Sequence, residues 1–326
     1  MMVEMTLQGI KKDILSGKKI SKEEAMFLYE APLEELCSMA NEIREHFCGN
    51  GFDMCTIVNG KSGKCSEDCK YCAQSSWYKT QVEEYPLMEE KELIDLAKYN
   101  HDRGVVRYSV VTSGRRLSKK DVDAVCKSIT NLRKEVDIQV CASFGLLEKE
   151  DFEKLKAVGV SRVHNNLETS RQNFINICTT HTYEDKIHAI RQAQEAGLKV
   201  CSGGIMGLGE TMEDRVNMVI DIRELGIKSI PVNFLNPIPG TPYENVPMLS
   251  QEEMRRIVAV FRCLIPDAAI RLAGGRGLLK DKGRACFQSG ANAAISGDML
   301  TTSGMTIEKD MAMIKELGFE VRAMEQ

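Results

Sequence analysis

Neither sign of charge prevails in this chain of 326 residues: 43 lysines and arginines stand against 47 aspartates and glutamates, a formal charge of −4. That balance supplies no basic stripe for nucleic acid and no polybasic face for an anionic membrane, so neither is expected as a partner. Long apolar runs are missing too. No stretch approaches the length of a membrane span, and Met1-Met2-Val3-Glu4-Met5 lacks the basic segment and apolar run of an export signal. A cytoplasmic location is therefore expected. Also absent are a linker, a low-complexity stretch and a break in composition. One large domain over 51–326, behind an N-terminal helical extension over 1–50, is the simplest division. With 43% hydrophobic residues the chain can bury a substantial core, and its length suits a single domain if that domain is an α/β barrel.

Cysteine, by contrast, is plentiful, at twelve residues. Without an export signal these are thiols, metal ligands or small core residues rather than a disulfide framework. The most informative stretch is Lys64-Cys65-Ser66-Glu67-Asp68-Cys69-Lys70-Tyr71-Cys72, a C-x3-C-x2-C loop with no fourth ligand nearby. Three thiolates hold three irons of a cubane 4Fe-4S cluster and leave the fourth open, whereas a structural zinc site normally closes with four protein ligands. The open position implies chemistry. The alternative is a zinc loop that borrows a distant ligand. With Tyr71 just before the third cysteine, the loop resembles the signature of the radical S-adenosylmethionine superfamily.

Strand-like and helix-like segments alternate along the chain. Ser21 and Glu24 make a capping box, and Gly49 ends a periodic apolar pattern, so residues 21–48 read as two helices. Short β-rich runs follow near 53–57, 105–111, 138–142, 161–166, 198–203, 229–235, 268–272 and 292–296. Helical patterns separate most of them, including 89–103, 118–134, 183–196, 212–225 and 251–264. Each βα pair requires a parallel neighbour, and about eight such units close into a (β/α)8 TIM-type barrel, an α/β fold. Barrel enzymes place their chemistry at the C-terminal ends of the strands, which is where the three-cysteine loop falls.

Three further thiols fit that frame: Cys55 in the first run, Cys141 in the third and Cys201 in the fifth, with Arg271 in the seventh. Side chains of alternate strands fill one interior layer, so these four converge on a common centre. An arginine is almost never buried without an anionic partner, and a second iron–sulfur cluster on three thiolates would provide one. Free cysteine is also a common core residue. On that ground Cys37, Cys48, Cys126, Cys178, Cys263 and Cys286 are read as structural.

Residues 50–305 resemble the biotin synthase family. The matching stretches are KCSEDCKYCAQSS (64–76), VHNNLETS (163–170), VCSGGIMGLGET (200–211), PVNFLNPIPGTP (231–242), IRLAGGR (270–276) and LTT (300–302). The resemblance implies conversion of dethiobiotin to biotin by a radical S-adenosylmethionine sulfurtransferase. Unactivated C–H bonds do not yield to acid–base chemistry at neutral pH, so a cofactor must supply the radical. A 4Fe-4S cluster on Cys65, Cys69 and Cys72 would bind S-adenosyl-L-methionine and release a 5′-deoxyadenosyl radical, and a sulfide of an auxiliary cluster would be inserted. Carried over by matched position, Glu168 binds the ribose, Lys186 the methionine carboxylate, and the backbone around Tyr71 and Ile205 the adenine. Asn166 and Asn233 bind the ureido ring of the substrate, and Thr301 and Thr302 lie near its carboxylate. Asn166 and Glu168, two apart on one strand, are expected to face the same side. The resemblance also implies flavodoxin or ferredoxin as electron donor and a homodimer. Other readings are a different radical S-adenosylmethionine barrel, of the hydrogenase-maturation or mutase kind, or an iron–sulfur carrier without turnover.

The sequence departs from the family pattern in ways that bear on the second cluster. Where members with a 2Fe-2S auxiliary cluster carry a cysteine on the second strand, this chain has Ser109; where they carry a serine ten residues before the signature, it has Cys55. His164 replaces an asparagine and Glu168 an aspartate. Three thiolates about one centre suit a cubane with one open iron, so a 4Fe auxiliary cluster with an extra sulfide (4Fe-5S) is favoured over 2Fe-2S. Arg271 is then charge compensation or a weak ligand, since guanidinium does not readily deprotonate.

Overall fold

Ser21 opens α2 (Lys22–Tyr29) as its sequence implies: its hydroxyl accepts from Glu24 N at 3.2 Å, and the Glu24 carboxylate accepts from Ser21 N at 2.7 Å. The next helix, α3 (Leu33–Cys48), stops at Gly49, whose φ of 60° suits glycine. A shorter helix the sequence reading did not mark, α1 (Leu7–Leu15), precedes them and starts on the Thr6 side chain. These features belong to the computed structural model of the chain, which describes residues 5–302 and 304–324.

Behind the three helices a parallel sheet curls into a ring. Its strands are β1 (Gly51–Lys61), β2 (Arg107–Thr112), β3 (Gln139–Ser143), β4 (Arg162–His164), β5 (Lys199–Cys201), β6 (Gly204–Met206), β7 (Ser229–Phe234), β8 (Ala269–Leu272) and β9 (Ala293–Ser296). The hydrogen-bonded order is β5-β4-β3-β2-β1-β9-β8-β7-β6. Only Ser202 and Gly203 separate the two ends of that path, and Ser202 N donates to Ser229 O at 3.0 Å, so the ring closes. This is the expected (β/α)8 barrel, with its fifth strand broken in two: β5 pairs with β4, and β6 with β7. Each strand run read from the sequence overlaps an observed strand. The crossover helices α4 (Glu90–His101), α5 (Lys119–Glu135), α6 (Lys149–Ala157), α8 (Tyr183–Glu195), α9 (Met212–Glu224) and α10 (Gln251–Leu264) pack outside, and a single turn, α7 (Phe174–Ile177), precedes α8.

Gly203 makes the break possible. A Cβ there would lie 1.8 Å from the carbonyl oxygen of Pro231, a backbone atom with nowhere to go. Gly203→Ala should therefore destabilise the chain by about 3 kcal/mol or more. Urea unfolding of the cluster-free chain checks this, and a shift under about 1 kcal/mol would show that the strand break relaxes.

Candidate active site

The loop between β1 and α4 holds the three signature cysteines by its own backbone. Cys65 N donates to Gln74 O at 3.0 Å, Ser76 N to Cys65 O at 2.8 Å, and Cys72 N to Cys69 O at 3.0 Å. A second chain segment pins the loop from outside: the Asp68 carboxylate accepts from Thr179 N at 2.8 Å and Thr180 N at 3.1 Å, and Lys70 N donates to Ile177 O at 2.9 Å. All three thiols are half-buried. Burial raises Cys65 and lifts Cys72 to about 11, so metal, rather than ambient pH, has to displace their protons.

From this loop a cavity of about 360 Å³ runs down the barrel axis. Tyr71 and Cys72 line its upper part, together with Glu168, Lys186, Ile205, Asn166, Asn233, Thr301 and Thr302; Cys55, Cys141, Cys201 and Arg271 line it as well. Of the residues singled out from the sequence, all but Cys65 and Cys69 line this one space. Ser109 and His164 do too, and burial pushes the His164 imidazole down to about 4, so it faces the cavity neutral.

One placement differs from expectation. β4 ends at His164, so Asn166 and Glu168 lie beyond the strand, and Glu168 has a φ of 71°, in the left-handed region. They still meet, because Asn166 Nδ2 donates to Glu168 Oε2 at 3.3 Å. Both asparagines also hold glycine turns: Asn166 Oδ1 accepts from Gly203 N at 3.0 Å, and Asn233 Oδ1 accepts from Gly274 N at 2.9 Å. Their side chains are thus fixed before any ligand arrives.

The lower end carries groups that sequence reading missed. Asp53 is fully buried and gripped by two guanidinium groups: Arg271 Nη2 donates to Oδ1 at 2.7 Å, and Arg107 Nη2 to Oδ2 at 3.2 Å. Burial pushes the Asp53 carboxyl up, but the charges of Arg271 and Arg107 outweigh it and hold the group well below the usual carboxylate range. Arg271 Nη1 is also spent, on Asp53 O and Ala294 O, so Arg271 acts here as a charge and not as a free donor atom. Around them Arg107 Nη1 lies 3.8 Å from Cys141 Sγ, and Ser229 Oγ donates to Cys201 Sγ at 3.2 Å. Asp53 was findable, since it sits two residues before Cys55 and so shares its face.

These donor sets fit iron–sulfur clusters. Two arginines against one carboxylate leave a net positive charge in a buried place, which thiolates and an anionic cluster would balance. Neither cysteine trio draws within 4.8 Å as a set; among the described residues the one group that does is Cys69, Cys178 and His181. Each trio is therefore too wide for a single ion and suits a cluster several ångströms across. Cys178, read from the sequence as structural, lies 3.7 Å from Cys69 Sγ. That hydrogen bond holds the Cys178 thiol down to about 4 and pushes Cys69 far up. The remaining cysteines are buried, and all twelve are free thiols.

Comparison with known proteins agrees with this geometry. Residues 61–222 match the Radical SAM superfamily, and residues 231–320 match the Biotin and Thiamin Synthesis associated domain. A biotin synthase of Akkermansia muciniphila is 62% identical over 309 residues, 95% of this chain and 96% of its own. That of Brachyspira hyodysenteriae is 58% identical over 322 residues, 99% of this chain and 97% of its own. Among solved structures, methylornithine synthase superposes with a TM-score of 0.84 over 96% of this chain and 97% of its own, at 17% identity. HydG, a maturase of the [FeFe]-hydrogenase, gives 0.83 over 98% and 75%, at 20% identity. Those two likenesses speak to the fold alone. No helix among the described residues is long and apolar enough to cross a membrane. With more than half of its residues identical to curated biotin synthases over nearly its whole length, the chain belongs to the biotin synthase family of radical S-adenosylmethionine enzymes.

Proposed function

We propose that this chain inserts sulfur into dethiobiotin to form biotin, with a 4Fe-4S cluster on Cys65, Cys69 and Cys72 and an auxiliary cluster on Cys55, Cys141 and Cys201. When bound, the first cluster with S-adenosyl-L-methionine supplies a 5′-deoxyadenosyl radical able to take hydrogen from an unactivated carbon, and the second supplies sulfur. One observation carries the reading: a single cavity joins Tyr71 and Cys72 at its upper end to three thiols and Arg271 below. A substrate between them touches both centres.

The chain's own groups bind, orient and exclude. Glu168 and Lys186 offer opposite charges to the ribose hydroxyls and the methionine carboxylate, and Tyr71 and Ile205 flank the adenine. Asn166 Nδ2 and the Asn233 amide, already anchored to glycine turns, present fixed polar edges to the ureido ring, with Thr301 and Thr302 toward the substrate carboxylate. The barrel wall keeps water from the reacting carbons. Arg271 and Arg107 hold positive charge beside the lower thiols, which favours an anionic 4Fe-5S centre over an aliphatic core. Flavodoxin or ferredoxin as electron donor, a homodimer, and the division into a helical extension (1–50) and a barrel domain (51–326) complete the proposal.

Anaerobic reconstitution tests it. The expected result is about eight irons per chain, four for each site, with 5′-deoxyadenosine and biotin formed only when dethiobiotin is present. About two irons beyond the first cluster would rule out the 4Fe auxiliary centre, and turnover independent of dethiobiotin would assign another substrate.

A further inference from the structure

Cys69 and Cys178 stand 109 residues apart in sequence, yet with His181 they bring one ligand atom each to within 4.8 Å of one another. The two sulfurs lie 3.7 Å apart, Cys178 Sγ lies 3.3 Å from His181 Nδ1 and 3.9 Å from its Nε2, and the remaining edge, from Cys69 to His181, is within 4.8 Å. A tetrahedral cation with bonds of about 2.3 Å to sulfur and about 2.0 Å to nitrogen sets its ligand atoms roughly 3.5–3.8 Å apart. The sulfur–sulfur distance and the one from Cys178 Sγ to His181 Nε2 are already close to that spacing.

A carboxylate completes the arrangement. Glu67 Oε2 lies 2.6 Å from His181 Nδ1, which fixes the ring and leaves Nε2 as the ligand nitrogen, the usual outer-shell device of a metal-bound imidazole. Thr180 Oγ1 donates to the same Glu67 oxygen at 2.8 Å, so the carboxylate is itself held. Asp68 Oδ1 accepts from Cys178 Sγ at 3.2 Å but lies outside the group, so the fourth position falls to a water. Cys178, His181 and Glu67 are all buried. Two thiols with an imidazole select zinc or ferrous iron over magnesium or calcium.

We propose that, before its cluster is assembled, the chain binds one thiophilic divalent cation through Cys69, Cys178 and His181. Binding replaces any proton that the two thiols carry, which passes to solvent, and no electron is transferred. The consequence rests on the assignment of Cys69 as a cluster ligand: a Cys69 sulfur drawn toward Cys178 and His181 by zinc is not placed to take an iron with Cys65 and Cys72, so a zinc ion here holds the loop closed to the cluster until it leaves.

Cobalt(II) added to the cluster-free, full-length chain under argon is the probe, because tetrahedral thiolate coordination gives it intense near-ultraviolet and visible bands. A tetrahedral cobalt signal that persists in a Cys65→Ser/Cys72→Ser chain and weakens at least about 100-fold in affinity in Cys178→Ser and in His181→Gln is the expected result. Unchanged affinity in Cys178→Ser, or loss of that signal when Cys65 and Cys72 are replaced, would overturn the site. Circular dichroism of each variant controls for folding. Preloading with zinc should lower the iron later taken up by the wild type and leave Cys178→Ser unaffected, and equal uptake by both chains refutes the competition. Iron uptake by Cys178→Ser without zinc reads the cluster assignment separately from the ion site.

Discussion

A Cys55→Ser chain, reconstituted without oxygen, is expected to bind about four irons instead of about eight, to cleave S-adenosyl-L-methionine still, and to make biotin at least about 100-fold more slowly. The reasoning starts from burial. Cys55 is enclosed in β1, and burial pushes its thiol up to about 12, the positive charge of Arg271 offsetting this and the neighbouring Cys141 adding to it. A thiol so placed has no acid–base use at neutral pH. It becomes a thiolate only when iron displaces its proton. Serine is smaller and a poor ligand for iron, but it can keep the hydrogen bond the thiol makes to Thr56 O at 3.3 Å. The fold should therefore tolerate the exchange, as the serine expected there in other family members also suggests. The loss then reports ligation and not unfolding, and the upper site, which shares no ligand with Cys55, stays intact. Normal biotin formation by this variant would show that Cys55 is not a ligand.

How far such a site can be read from sequence depends on which contacts are local. The three signature cysteines span eight residues, and their spacing alone raises the expectation of a cluster. Cys55, Cys141, Cys201 and Arg271 were legible because strand alternation and barrel order assign each a direction, and all four do line one cavity. Asp53 was passed over although the same alternation points it inward; its meaning lies in Arg271, 218 residues on, and only closure of the ring brings the two together. Cys178 offered less still. It follows a one-turn helix with no periodicity, and its neighbours Cys69 and Glu67 come from a loop whose path no pattern fixes. The broken fifth strand was hidden for a related reason: residues 198–203 read as one strand run, and only the clash of a Cβ at Gly203 with Pro231 shows why the chain must part there.

Asp53→Asn should be the most damaging single substitution in the barrel. Among the described residues its carboxylate is the one acidic group contacting both Arg107 and Arg271, each nearly fully buried, and it also accepts from Met324 N at 3.0 Å. An amide keeps the shape but removes the charge, leaving two guanidinium groups facing each other, and breaking a buried ion pair in this way costs about 3–5 kcal/mol. The effect has a definite pH dependence. Because the folded carboxyl titrates below its unfolded value, its stabilisation is fully present above about pH 4 and is lost as the pH falls below that. Urea unfolding of the cluster-free wild type and variant should therefore differ by several kcal/mol at pH 7, and the gap should narrow below about pH 4 by at most about 1.4 kcal/mol per pH unit. No gap at pH 7 would mean that Asp53 acts through its shape and not its charge, and a gap of the same size at pH 3 would mean that the loss does not follow the titration of its carboxylate. The variant should also retain less of the second cluster, since Asp53 sets the two arginines that face the thiols; a full complement of iron in Asp53→Asn would separate the ion pair from the metal site.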